Sequence, residues 1–78
     1  MKIDEFIKKH FWSLEEKEKM KIKECLEKGT VFKCFEPECG FEWTSKPGEV
    51  FEKCPKCGSN RILFKCGEIW NAVWHDGS

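Results

Sequence analysis

The chain has 78 residues, with 14 basic and 14 acidic side chains, a formal net charge of zero, six cysteines and four tryptophans. So short a chain makes one small domain whose apolar core barely offsets its conformational entropy, so it needs a staple. Balanced charge argues against a protein built on excess positive charge for a nucleic-acid backbone, and no apolar run approaches the roughly 20 residues of a membrane span.

Ile3, Phe6, Ile7 and Phe11 recur at three- and four-residue steps, as one face of a short helix requires, with Asp4 or a neighbour at its start. Ser13 and Glu16 have the spacing of a capping box, which predicts a second helix from Leu14 to about Lys28. Gly29 then stops it in the left-handed conformation, after lysines in the last turns. Its apolar face is thin: Leu14, Ile22, Cys25 and Leu26. The Lys/Glu run from Glu15 to Glu24 reads as a solvated face. Two helices joined by a short turn suit a helix-turn-helix remnant, a partner-binding hairpin, or a cover for the cysteine-rich part of the chain through Phe6, Ile7, Phe11, Leu14, Ile22 and Leu26. Cover is favoured, because glutamates alternating with the lysines would repel phosphates.

After Gly29 the pattern changes. Thr30 to Cys34 and Phe41 to Thr44 read as two strands, and Ser45 to Gly48 is a turn by composition. Val50 to Lys53 leads into a second cysteine pair, and Arg61 to Lys65 is a strong third strand. Glu68 to Trp74 is also β-prone, with Gly67 letting it fold back beside the third strand. Asp76 to Ser78 should fray.

The cysteines carry the chemistry. Cys34 and Cys39 enclose four residues and are followed by Gly40; Cys54 and Cys57 enclose Pro55 and Lys56 and are followed by Gly58. Two close pairs a hairpin's length apart place four soft thiolates at the corners of a tetrahedron, the ligand set of structural Zn²⁺. Proline after Cys54 presets a turn, and glycine after Cys57 lets the chain wrap so that backbone N–H groups face sulfur. A closed four-sulfur shell leaves no position for water or substrate, so the expected role is structural and the protein is expected not to be an enzyme. Structural zinc supplies an apparent binding free energy of roughly 10–16 kcal/mol, enough to decide whether such a chain folds. Disulfides are the rival staple. They are disfavoured because the opening Met1-Lys2-Ile3-Asp4 has no apolar signal-peptide core and paired spacings suit a metal in a reducing cytoplasm.

The other two cysteines read as structural, Cys25 as a small core residue and Cys66 at a strand end. His10 and His75 stand at no spacing that suggests nucleophilic catalysis and are expected at the surface. Trp43 should pack under the sheet. Trp70 and Trp74 share one face of the last strand, either as core or as an exposed contact patch. With Lys33, Lys46, Lys53, Lys56, Arg61 and Lys65 nearby, such aromatics also suit weak stacking on single-stranded bases.

At Cys39-Gly40-Phe41-Glu42-Trp43 and again at Cys54-Pro55-Lys56-Cys57-Gly58-Ser59-Asn60-Arg61-Ile62, the chain resembles the zinc-ribbon families. The likeness covers about Thr30 to Lys65. It implies one zinc held by Cys34, Cys39, Cys54 and Cys57 at the tips of hairpins beside a three-stranded sheet. Ribbons of this kind occur in transcription factors, RNA polymerase subunits, ribosomal proteins and small archaeal proteins, so the likeness speaks to architecture more than to function. The same residues resemble a rubredoxin, which holds redox-active iron, although the first pair here encloses four residues instead of two.

The expected fold is therefore a small α+β, metal-stapled domain: a helical hairpin over residues 1–29, a zinc ribbon over 30–66, and a C-terminal strand and tail over 67–78. The antiparallel sheet has three or four strands. The expected function is a cytoplasmic, non-enzymatic zinc-binding adaptor with a protein partner, in a transcription or other nucleic-acid complex. The alternative is an iron electron carrier.

Overall fold

The computed structural model describes residues 2–74; His75 and the tail from Asp76 to Ser78 lie outside the described residues. Helix α1 spans Ile3–His10 and α2 spans Glu16–Lys28, followed by strands β1 (Val31–Cys34), β2 (Glu42–Thr44), β3 (Ile62–Cys66) and β4 (Ile69–Ala72). The strands form one antiparallel sheet in the order β2-β1-β3-β4. The fourth strand folds back at Gly67 as expected, with Cys66 opposite Ile69 and Lys65 opposite Trp70.

Residues of β1 and β3 alternate in burial, as strands covered on one side must. Phe32, Ile62 and Phe64 point inward and are fully buried, whereas Val31, Lys33, Leu63 and Lys65 face the other way. An eight-residue helix such as α1 is unstable alone in water. It is held by Phe6, Ile7 and Phe11, which pack with Ile22 and Leu26 of α2 on the inner sheet face. Phe64 is the meeting point, with ring centroids 6.4 Å from Phe6, 5.7 Å from Phe11 and 5.8 Å from Phe32. Each such burial contributes roughly 1.5–3 kcal/mol before entropy is subtracted. The helices thus cover the sheet through the apolar stripe read from the sequence, with Leu14 half-buried at its border. A second aromatic group continues the same layer toward β2: Trp43 stacks on Phe32 and Phe41, and Phe51 closes over both Phe32 and Trp43. The indole Nε1 of Trp43 is buried there and has no hydrogen-bond partner among the described residues.

Gly29 ends α2 at φ 88° and ψ 145°, a positive-φ conformation but not the left-handed helical one expected. A side chain there would meet the Ser45 carbonyl oxygen at 2.8 Å, because the turn after β2 closes directly onto the helix end. Ser45 fixes that junction. Its hydroxyl accepts from the Thr30 N–H at 2.9 Å and donates to the Thr30 carbonyl at 3.1 Å.

Three further expectations need correction. The Ser13 capping box does not form: α2 begins at Glu16, with Glu15 as its N-cap and no side-chain cap bond. The Leu14 N–H instead bonds the Phe11 carbonyl, a turn that swings Leu14 toward the core and leaves Ser13 exposed. His10 is not a surface residue. One turn after Phe6, it lies on the inner side of α1 with its side chain 13% exposed, its ring 4.9 Å from Phe6 and its Nε2 2.9 Å from Glu52. Third, the rejection of disulfides fails for one pair, since Cys25 and Cys66 are bonded to each other. Cys25 stands beside Leu26 on α2, and Cys66 alternates onto the helix-facing side of β3 with Ile62 and Phe64. Neither is therefore a free core thiol, and cysteine usage no longer argues for a reducing compartment.

The disulfide closes a sequence separation of 41 residues, for which the chain-entropy model gives about 4 kcal/mol of stabilisation. Replacing both cysteines by serine should lower the stability of the metal-loaded chain by about 2–4 kcal/mol in a urea titration, with the sheet retained. Equal midpoints, or six free thiols by mass spectrometry of unreduced protein, would contradict the bond.

Candidate metal centre

Each pair of cysteines sits in a tight turn hung from the end of the sheet. Cys34 is the last residue of β1, and the chain loops through Pro37 to Cys39 before β2 begins at Glu42. Inside that loop the N–H groups of Cys39 and Gly40 both bond the Glu36 carbonyl at 3.0 Å. The four intervening residues therefore close as tightly as a shorter turn. In the second loop, the Gly58 N–H bonds the Cys54 carbonyl at 2.8 Å. The two turns are stitched alike: Cys34 N–H to the Phe41 carbonyl and Cys54 N–H to the Ser59 carbonyl, both 2.8 Å, each reaching two residues past the second cysteine. Gly40 and Gly58 follow those second cysteines at φ 58° and 76°, which a residue with a Cβ seldom adopts.

The result brings together the sulfurs of Cys34, Cys39, Cys54 and Cys57, all within 4.8 Å of one another. Across the two loops, Cys34 Sγ lies 3.5 Å from Cys57 Sγ and Cys39 Sγ 3.8 Å from Cys54 Sγ. Four thiolates at about 2.3 Å from a tetrahedral ion stand about 3.8 Å apart, so the cluster has the dimensions of a metal shell. All four are free thiols, Cys34 and Cys54 buried, Cys39 half-buried and Cys57 exposed. These four cysteines are positioned to hold a metal ion.

Burial and backbone N–H groups pull those thiols in opposite directions. Burial pushes the Cys34 thiol up to about 12, despite a backbone N–H from Glu36 that favours its thiolate. Burial opposes ionisation of Cys54 as well, but backbone N–H groups of Cys57 and Lys56 outweigh it and bring that thiol down to about 7. At Cys57 the Ser59 N–H favours the thiolate, yet desolvation and the sulfurs of Cys39 and Cys54 leave the net shift upward. The environment thus favours the thiol at Cys34 and Cys57 and the thiolate at Cys54. A dication at their centre overrides this, because coordination deprotonates every thiol.

Around the sulfurs lies a layer that the sequence did not reveal. Glu36, in the first loop, accepts a hydrogen bond from the Ser59 hydroxyl at 3.0 Å and lies 3.9 Å from the Arg61 Nε, joining the two loops independently of any ion. Glu52, two residues before Cys54, is held by Lys9 and His10 of α1 at 2.9 Å each. Hydrogen bonds from Lys9 and His10 set its carboxyl below the usual carboxylate range. The one available signal was His10 at the fourth position after Phe6, on the buried stripe of α1. Lys56 stands over the Phe41 ring at 5.6 Å and closes the outer side of the second loop.

Comparison with protein-family models, curated proteins and solved structures finds no match for this chain.

The chain should bind one divalent ion, lost when Cys34 or Cys54 is replaced by serine but kept when Cys25 and Cys66 are replaced. Protons compete for thiolates, so retention against a fixed chelator should rise with pH and fall on acidification. Native mass spectrometry reads both. Full metal content in Cys54→Ser would dismiss the assigned shell.

Proposed function

We propose that this chain is a zinc-binding, zinc-ribbon protein acting as a small non-enzymatic adaptor in the cytoplasm, within a transcription or other nucleic-acid complex. The observation that carries it is the shell of four cysteine sulfurs at tetrahedral spacing, with backbone N–H groups directed at Cys34, Cys54 and Cys57. Four protein ligands fill the coordination of Zn²⁺, so the ion organises the fold and offers no open position for chemistry. Two knuckles at one end of an antiparallel sheet support the ribbon assignment. A protein partner is supported by large apolar side chains left in solvent, Trp12 in the turn between the helices and Met20 on α2. Cytoplasmic residence belongs to the proposal and is compatible with the Cys25–Cys66 bond, because intracellular proteins of hyperthermophiles are rich in disulfides. The abundant lysine and glutamate fit the same setting.

A second reading, a rubredoxin-like iron electron carrier, is favoured by the Cys54-Pro55-Lys56-Cys57-Gly58 turn with its N–H groups on sulfur and by the exposure of Cys57. Colour and elemental analysis of protein purified from its native cells separate the two. Zinc near one equivalent in a colourless sample is expected. A red sample with one equivalent of iron and a reversible reduction would replace the adaptor with the carrier.

A further inference from the structure

We propose that the uncovered face of the sheet binds single-stranded nucleic acid, with bases stacking on Trp70 and Phe35 and phosphates meeting Lys65 and Arg61. The proposal rests on the adaptor role above and names the nucleic-acid contact within that complex. Among the described residues, the helices and the Phe51 segment cover one side of the sheet only, so the residues that alternate to the other side form a floor there. Pairing fixes their arrangement. Lys65 stands opposite Trp70. The same registers, carried on by the Phe35 N–H to Arg61 carbonyl bond and the Val73 N–H to Ile62 carbonyl bond, set Arg61 between Phe35 and Trp74.

Two aromatic platforms result, each beside a cation. Trp70 is 39% exposed and Phe35 is 55% exposed, with Phe35 backed by Trp74 at a ring distance of 5.3 Å. The platforms lie four residues apart along the strand direction, about 13 Å, with Leu63 and Ala72 between them. Bases stack on such rings without regard to sequence, and phosphates pair with the neighbouring cations. Lys33 adds a third positive charge on this face, although Glu42 at 3.6 Å shares it, as Glu36 at 3.9 Å shares Arg61.

An apolar protein surface fits this floor less well. It would bury the Lys65 ammonium, which takes part in no ion pair among the described residues, and an unpaired buried charge is costly. A strand of nucleic acid covers the rings and supplies the counter-charge together. Duplex bases present no free ring face, and the lysines of α2 alternate with glutamates, so neither surface suits a double helix. Zero formal charge, lowered by two when four thiolates hold a dication, keeps the interaction local and weak.

The test uses the full chain with its metal, checked by elemental analysis and circular dichroism, and labelled ten-nucleotide oligothymidylate, oligouridylate and duplex in anisotropy titrations. Single strands should bind with Kd of roughly 10⁻⁴–10⁻⁶ M, at least fivefold tighter than duplex. Three phosphate contacts predict a log–log salt slope of about −2, so raising salt from about 50 to about 200 mM should weaken binding about 20-fold. Trp70→Ala should weaken it at least fivefold, and Lys65→Gln should reduce the slope by about 0.7. Preference for thymidylate or uridylate assigns DNA or RNA within the proposal. No binding at low salt, equal affinity for duplex, or a Trp70→Ala variant that binds like the parent would overturn it. A folded, metal-loaded chain that binds no strand leaves the structural-metal role intact, whereas a folded chain free of metal removes that role irrespective of binding.

Discussion

Four cysteine sulfurs lie within 4.8 Å of one another, two of them buried, at the end of a sheet too small to be stable alone. Unaided, burial holds Cys34 as a thiol, up at about 12, while backbone N–H groups bring Cys54 down to about 7. With a dication among them, the same sulfurs become anions bound to a common centre, and the apparent stabilisation, roughly 10–16 kcal/mol for structural zinc, exceeds what a core of this size leaves after entropy. The positions of β1, β2 and β3 follow from this. Cys34 closes β1, the first loop returns as β2, and the second loop feeds β3 four residues after Gly58.

Two staples act at opposite ends of β3. Ile62 pairs with Cys34 at the sulfur cluster, while Cys66 ends the strand in its bond to α2. Between them the Phe64 ring collects both helices. The first helix is anchored a third way, through Lys9 and His10 to Glu52 just ahead of Cys54. Disturbing α1 should therefore be felt at the second loop, although no helix residue is a ligand. All of this restraint lies on one side of the sheet, which leaves the other side, with its paired rings and cations, open to a partner.

Much of this was legible because its causes are local. Three- and four-residue apolar steps placed the first helix and named most of the buried helix side chains, Gly29 marked the end of the second helix, β-prone runs marked the strands, and the cysteine spacings named the residues that cluster. What escaped depends on tertiary placement. Ser13 has the spacing of a cap, yet the Phe11–Leu14 turn that seats Leu14 displaces it. Cys25 and Cys66 meet only once α2 lies across β3, and their pairing was hidden by an assumed reducing compartment; that two cysteines remained after the metal set was the neglected clue. Glu36 and Glu52 carry no signal of their own in the sequence, because their partners stand 23 and 42 positions away.

The central claim is that metal held by four cysteines keeps the sheet folded. The most direct measurement is an amide NMR spectrum of the disulfide-intact chain before and after a strong chelator removes the ion, with metal content followed in parallel. Loss of the dispersed signals of β1 and β3 together with the metal, and their return on adding one equivalent of Zn²⁺, is the predicted result. A spectrum that keeps its sheet dispersion after the metal is gone would contradict the account.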